Sequence, residues 1–132
     1  MSPRQPPPDI LETEWDLLDA LWQAERATAR EVTEALVKRR GWAYSTVKTL
    51  LDRMVEKGLV DARQVGNVWE YTPAMQRQKA QRWAWRRFVE MAFGGAMAPT
   101  LAFVAREARL SREDRKELQA LLRELEDEAG DE

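Results

Sequence analysis

The sequence contains no cysteine and no histidine. Without cysteine the chain cannot form a disulfide, a thiolate nucleophile or a thiolate zinc site. Without histidine it also lacks the commonest general base and metal ligand. Carboxylates are the remaining candidates for catalysis, and they are scattered among basic residues on helical patterns. We therefore expect no enzyme, no metal site and no cofactor.

A large excess of charge and a long apolar run are also absent. The formal net charge is −2, so a nucleic-acid partner would require a local basic surface. The N-terminal stretch "MSPRQPPPD" has no apolar core of the kind found in secretory signals. The longest uncharged run, residues 91–105, is shorter than the roughly 18–20 residues of a membrane helix. We expect a cytoplasmic protein with no membrane insertion, in which this run is a buried helix–turn–helix interface.

The N-terminal half begins with the pattern of two short helices. A capping box at Asp9 and Glu12 predicts the start of the first helix. A second box at Thr28 and Glu31 predicts the start of the next, and Gly41 ends it. The predicted apolar stripes are Trp15, Leu18, Leu21 and Trp22, followed by Ala29, Val32, Ala35 and Leu36. The proline-rich residues 1–8 before them predict a disordered or polyproline arm.

A third helix is predicted over residues 44–57, and two strands follow it. Its apolar residues have the spacing of a single helical face: Val47, Leu50, Leu51, Met54 and Val55. Gly58 supplies the left-handed residue that ends many helices. Residues 59–64 and 68–73 are predicted strands joined at Gly66-Asn67. This order is that of a winged helix-turn-helix domain, predicted over residues 9–73.

In such a domain the third helix enters the DNA major groove, and the hairpin, or wing, lies along the backbone. Residues 26–63 hold nine Lys or Arg against five Asp or Glu, a local basic excess in an acidic protein. Hydroxyls and cations suit groove edges and phosphates. The predicted DNA contacts are Ser45, Thr46, Lys48, Thr49 and Arg53 on the helix, with Arg63 and Asn67 on the wing. Any solvated helix has a polar outer face, so a protein-binding winged-helix module is an alternative.

After Pro73 the pattern changes to helices, over residues 74–95, 98–108 and from Ser111 onward, where Asp114 completes a capping box. Three such helices hold more apolar residues than a monomer would bury. The predicted dimer interface comprises Trp83, Phe88, Phe93, Leu101, Phe103, Leu118, Leu121, Leu122 and Leu125. Two copies around a two-fold axis would also set two recognition helices about one DNA turn apart. We thus predict a mainly α chain with a small β-hairpin. Residues 74–132 of this chain are predicted to form a helical dimerisation domain with an acidic tail. A compact monomer is the alternative.

Four stretches resemble the penicillinase-repressor family of bacterial transcription regulators, of the BlaI/MecI type with copper-responsive CopY relatives. They are "EWDLLDALW", "WAYSTVKTLLDRMVEKGLV", "GNVWEYTP" and "FGGAMAPTLAFVAREARLSREDRKEL". The resemblance implies a homodimeric winged-helix repressor that binds double-stranded DNA at a palindromic operator, with recognition contacts at Ser45, Thr46, Lys48 and Thr49. Family members often begin this helix with Ser-Pro; here Ala43-Tyr44 removes an N-cap side chain.

The resemblance also concerns how repression is released. Copper-responsive relatives use a C-terminal cysteine cluster, which this chain lacks. Antibiotic-resistance members are inactivated by proteolysis at an Asn-Phe bond, and the matching bond here is Ala102-Phe103. The resemblance therefore implies a membrane sensor protease as a further partner. A regulator that responds to a small molecule is the alternative, although the sequence names no pocket for one.

Overall fold

The computed structural model describes residues 9–130; the predicted arm over residues 1–8 and the end of the acidic tail lie outside them. The elements are α1 (Glu12–Ala24), β1 (Ala27–Thr28), α2 (Ala29–Ala35), α3 (Tyr44–Glu56), β2 (Val60–Val65), β3 (Val68–Pro73), α4 (Arg77–Phe93), α5 (Met97–Glu107) and α6 (Arg112–Gly130). The chain divides into two compact units between Phe88 and Val89. The predicted class, mainly α with a small β element, is confirmed.

One hydrophobic core holds α1, α2, α3 and the sheet together. Its most buried members are at most 1% exposed: Leu17, Leu18, Leu21, Val32, Val47, Leu51, Met54, Leu59, Val60, Tyr71 and Ala80. Full burial of such a side chain contributes about 1.5–3 kcal/mol. On α3 the predicted stripe is confirmed, since Val47, Leu51 and Met54 are buried and Leu50 and Val55 are half-buried. The opposite face of α3 is therefore directed away from the core.

The hairpin is part of a three-stranded antiparallel sheet with the order β1-β3-β2. Strands β2 and β3 pair from Val60 with Pro73 to Val65 with Val68. Gly66 turns between them with a φ of +63°, a conformation that suits glycine. Strand β1 was not predicted, because two residues have no periodicity and the partners of Ala27 and Thr28, Tyr71 and Glu70, lie far away along the chain. Three helices with this sheet form a winged helix.

Helix α1 begins later than the sequence predicted. Leu11 is the N-cap residue, and the Glu14 carboxylate accepts a hydrogen bond from its N–H at 2.8 Å. The predicted capping box at Asp9 and Glu12 is therefore wrong. The physical reason lies in tertiary packing, because Glu14 is also held by Lys57 Nζ at 2.7 Å and its side chain is only 4% exposed.

Helix α2 begins as predicted and ends earlier. The backbone N–H of Glu31 donates to Thr28 Oγ1 at 3.2 Å, and the N–H of Thr28 donates to the Glu31 carboxylate at 2.9 Å. The bond from the Thr28 backbone is the main reason that the pKa of Glu31 is lowered. The helix ends at Ala35, which is exposed, so the predicted stripe is wrong at this residue. Leu36 is buried from the turn that follows.

The C-terminal helices differ greatly in burial. The start of α4 packs on the N-terminal core, where Trp22 Nε1 donates to the Met75 carbonyl at 2.9 Å. The predicted capping box of α6 is confirmed, with 3.0 Å between the Asp114 N–H and Ser111 Oγ. No residue of α6 is buried. Within residues 9–130 no single helix is long and apolar enough to cross a membrane; α4 and α5 pass that test only as a bent pair.

Candidate nucleic-acid interface

The outer face of α3 carries most of the side chains that the sequence selected. Ser45, Thr46, Thr49 and Arg53 are exposed. The Thr49 hydroxyl donates to the Ser45 carbonyl one turn earlier, at 2.9 Å, which leaves its oxygen free to accept. As expected from the sequence, no side chain caps the helix at its N-terminus. This face can donate and accept hydrogen bonds without any loss of core packing.

Lys48 lies in a different environment from the other four. Its Nζ lies 2.9 and 3.0 Å from the two carboxylate oxygens of Asp52 and 2.6 Å from the hydroxyl of Tyr71. That hydroxyl lies 3.0 Å from Asp52 Oδ1. The hydrogen bond to Asp52, followed by that to Tyr71, raises the pKa of Lys48 to about 12. The lysine is therefore charged at neutral pH, but it is directed toward β3.

The wing carries the two remaining predicted residues. Arg63 is 71% exposed, and its Nη2 lies 3.8 Å from the Glu70 carboxylate, a loose ion pair. Asn67 is exposed in the turn beside Gly66. Three apolar side chains of the wing are also 42–50% exposed: Val65, Val68 and Trp69. The wing thus combines one cation, the amides of Gln64 and Asn67, and an exposed indole.

A cleft separates α3 from the wing. Its lining consists of Thr28, Ala29, Arg30, Tyr44, Lys48, Asn67, Val68, Trp69 and Tyr71. Of the predicted contacts it brings together only Lys48 and Asn67. It adds Arg30, Tyr44 and Trp69, which were not predicted from the sequence. Their signal in the sequence is weak. Tyr44 is an aromatic residue in the first turn of α3, Trp69 is an aromatic residue beside the wing turn, and Arg30 is in the first turn of α2.

The local basic excess is smaller in the structure than in the sequence. Arg39 and Arg40 both pair with Asp16, whose side chain is only 8% exposed. Lys57 pairs with buried Glu14. With Lys48 also paired, the cations that remain well exposed in this region are Arg26, Arg30, Lys38, Arg39, Arg53 and Arg63. Among residues 9–130 no cluster of three or more acidic side chains could hold a metal ion.

The predicted interface residues are mostly exposed in the single chain. Those between 45 and 59% exposed are Phe88, Leu101, Phe103, Leu118, Leu121, Leu122 and Leu125. Trp83 is different, because it is half-buried and packs against the N-terminal core. Phe93 is half-buried, with its ring centroid 5.6 Å from that of Phe103. The Ala102-Phe103 bond lies inside α5, and both residues are exposed.

A model of the penicillinase repressor family matches residues 10–124. The chain belongs to this family. Its members are DNA-binding transcriptional repressors. This repressor is 30% identical over 114 residues to a 16.5 kDa protein from the ptsI 3′ region of Latilactobacillus sakei, covering 86% of this chain and 78% of that one. It is 25% identical over 115 residues to the methicillin resistance regulatory protein MecI of Mammaliicoccus sciuri, covering 86% and 93%.

Among solved structures, this repressor is similar to monomeric Bacillus licheniformis BlaI in complex with the blaP half-operator. The identity is 28%, the match covers 55% of this chain and 88% of that one, and the TM-score is 0.48. The family expected from the four sequence stretches is thus confirmed by the family model and the curated relatives.

Proposed function

We propose that this repressor is a cytoplasmic homodimer that binds a palindromic operator, with α3 of each copy in the major groove and the wing along the backbone. One observation carries the proposal. Val47, Leu51 and Met54 on the inner face of α3 are fully buried. On its outer face Ser45, Thr46, Thr49 and Arg53 are exposed. A helix anchored in this way can present side chains to base edges at little cost to the fold.

The chemistry of these residues assigns their roles. Arg53 suits a bidentate contact with guanine, and the hydroxyls can contact several bases. Arg63 and Asn67 on the wing suit phosphate oxygens, which fix position rather than sequence. Arg30 joins them, because it lies in the first turn of α2 and lines the cleft between α3 and the wing. Trp69 would pack on the sugar-phosphate backbone beside these contacts.

The dimer is supported by α6. Leu118, Leu121, Leu122 and Leu125 have the i, i+3, i+4, i+7 spacing of one helical stripe. All four are at least 45% exposed, and α6 buries nothing in the single chain. An apolar stripe of this length is typical of a helix that packs against a partner. A two-fold axis through such an interface would pair two α3 helices on the two halves of an operator.

Release by proteolysis is the finer part of the proposal. Ala102-Phe103 lies in an 11-residue helix whose N-cap has no side-chain hydrogen bond. A helix this short is marginal alone, so local opening would give a membrane sensor protease its extended substrate. A cut there would separate the leucines of α6 from the DNA-binding unit. Two weak half-site contacts would then replace one bivalent event, lowering affinity by about 10²–10⁴-fold.

The proposal is tested by fluorescence anisotropy with DNA from upstream of the protein's own gene, over a range of salt concentrations. We expect tight binding that falls steeply with salt, because each phosphate contact contributes about −0.9 to the logarithmic slope. Arg53→Met should weaken binding by about 10-fold or more, since a good groove contact is worth about 1–3 kcal/mol.

Arg123→Met is the matched control, because Arg123 is an exposed helical arginine of α6 that lies off the leucine stripe. It should leave binding unchanged. Equal operator affinity for Arg53→Met and the unaltered chain would show that α3 is not the reading helix. Salt-insensitive or absent binding by the unaltered chain would instead indicate a protein-binding winged helix.

A further inference from the structure

We propose that Lys48 is a positioning residue that fixes the recognition helix to the wing, rather than a residue that contacts DNA. The inference rests on the proposed function of α3. A lysine ammonium has three N–H donors and no acceptor. Three acceptors already surround it: Asp52 Oδ1, Asp52 Oδ2 and the Tyr71 hydroxyl, all within 3.0 Å. No donor of Lys48 is left for a base or a phosphate.

The three side chains form a closed ring of hydrogen bonds. Lys48 donates to Asp52 and to Tyr71, and the Tyr71 hydroxyl donates to Asp52 Oδ1 at 3.0 Å. Tyr71 is 1% exposed, so its hydroxyl has little access to water. If Lys48 turned toward DNA, that hydroxyl would lose a charged donor in a site where water replaces it poorly. The ring therefore favours the lysine orientation seen in the free protein.

The position of Tyr71 shows which two elements the ring of hydrogen bonds connects. Tyr71 belongs to β3, the central strand, and pairs with Ala27 of β1 and Ala62 of β2. Lys48 and Asp52 lie one turn apart in the middle of α3. The ring thus joins the middle of α3 to the middle of the sheet. It thereby fixes the spacing between Thr49, beside Lys48 on α3, and Asn67, in the turn that precedes β3.

Tyr71→Phe is the decisive variant, because it removes one buried hydroxyl and alters no group that can reach DNA. The aromatic side chain stays in the core. It should be compared with Lys48→Met and with the double variant. We expect each single change to lower operator affinity by about tenfold, the loss typical of a hydrogen bond to a charged group. The double variant should be no weaker than either single one, and the salt slope should stay at the unaltered value.

Amide hydrogen exchange on the DNA-free chain gives a second measurement. Tyr71→Phe and Lys48→Met should both speed exchange of α3 and β3 amides, whereas Thr49→Ala, the neighbouring exposed position, should not. Unchanged exchange in both variants would overturn the proposed link, whatever the protein binds.

The operator-binding measurements distinguish a positioning role of Lys48 from a direct contact with DNA. If Lys48→Met lowers the salt slope by about 0.9 while Tyr71→Phe binds normally, Lys48 contacts a phosphate and the inference is wrong. Absence of specific binding by the unaltered chain would overturn the proposed function and the role of the link in DNA reading. The exchange measurement would then still decide whether the link exists.

Discussion

Replacing Leu121 and Leu125 of α6 by alanine should dissociate the proposed dimer without unfolding the chain. The two side chains are 54% and 59% exposed in the single chain, so about half of each surface remains to be buried by a partner. Full burial of a leucine is worth about 1.5–3 kcal/mol, and the remaining half therefore about 1 kcal/mol. Each substitution occurs in both copies, so the double variant should lose roughly 4 kcal/mol, or about 10³-fold in the dimer dissociation constant.

Sedimentation equilibrium over a wide concentration range measures this constant directly. Arg123→Ala with Glu124→Ala is the matched control, because both residues are exposed on α6 but lie off the leucine stripe. The control should dimerise normally, and both double variants should keep the thermal melt of the N-terminal unit, since α6 has no buried residue. The reasoning fails if the leucine variant dimerises as tightly as the control, or if the unaltered chain is monomeric at micromolar concentration.

Two further predictions concern stability and release. Lys57→Met should lower the free energy of unfolding, measured in urea, by about 3 kcal/mol, because it leaves the carboxylate of Glu14 buried with only the Leu11 N–H as partner. Adding Glu14→Gln should recover part of the loss. A loss under 1 kcal/mol would show that the pair contributes little. In cells treated with a cell-wall-active β-lactam, mass spectrometry should find a fragment that ends at Ala102, and an intact chain while the regulated genes are induced would mean that release works by another route.

Elements with strong local patterns could be predicted from the sequence. The stripe of α3 is confirmed at every position that the spacing selected, and the Thr28–Glu31 and Ser111–Asp114 boxes are present. These features depend on residues three to eight apart, so the local sequence contains the whole signal. The predicted start of α1 was wrong, because Glu14 is held by Lys57, which follows α3 and is distant along the chain.

The candidate site was predictable only in part for the same reason. Exposure of Ser45, Thr46, Thr49 and Arg53 follows from their place opposite the apolar stripe. The surroundings of Lys48 do not, since its partner Tyr71 lies in a strand whose packing no local pattern specifies.

The same long-range effect explains why the basic excess was overestimated. Arg39 and Arg40 stand beside each other in a cationic run that suggests an exposed basic surface. In the structure both pair with Asp16 of α1, whose single negative charge offsets one of the two positive charges. Charge counts along a sequence cannot include such pairs, because the partners meet only after folding.

The exposed leucine stripe of α6 has a consequence for how repression depends on the amount of the protein. A helix with no buried residue gains little from tertiary packing, and its capping box stabilises only its first turn. Under the proposed dimer, such a helix gains its packing only when a second chain arrives. At chain concentrations below the dissociation constant, the amount of dimer follows the square of the chain concentration, so halving the chains removes about three quarters of the active species. A modest fall in synthesis, or slow degradation of the chain, would then open the operator more sharply than a monomeric repressor could.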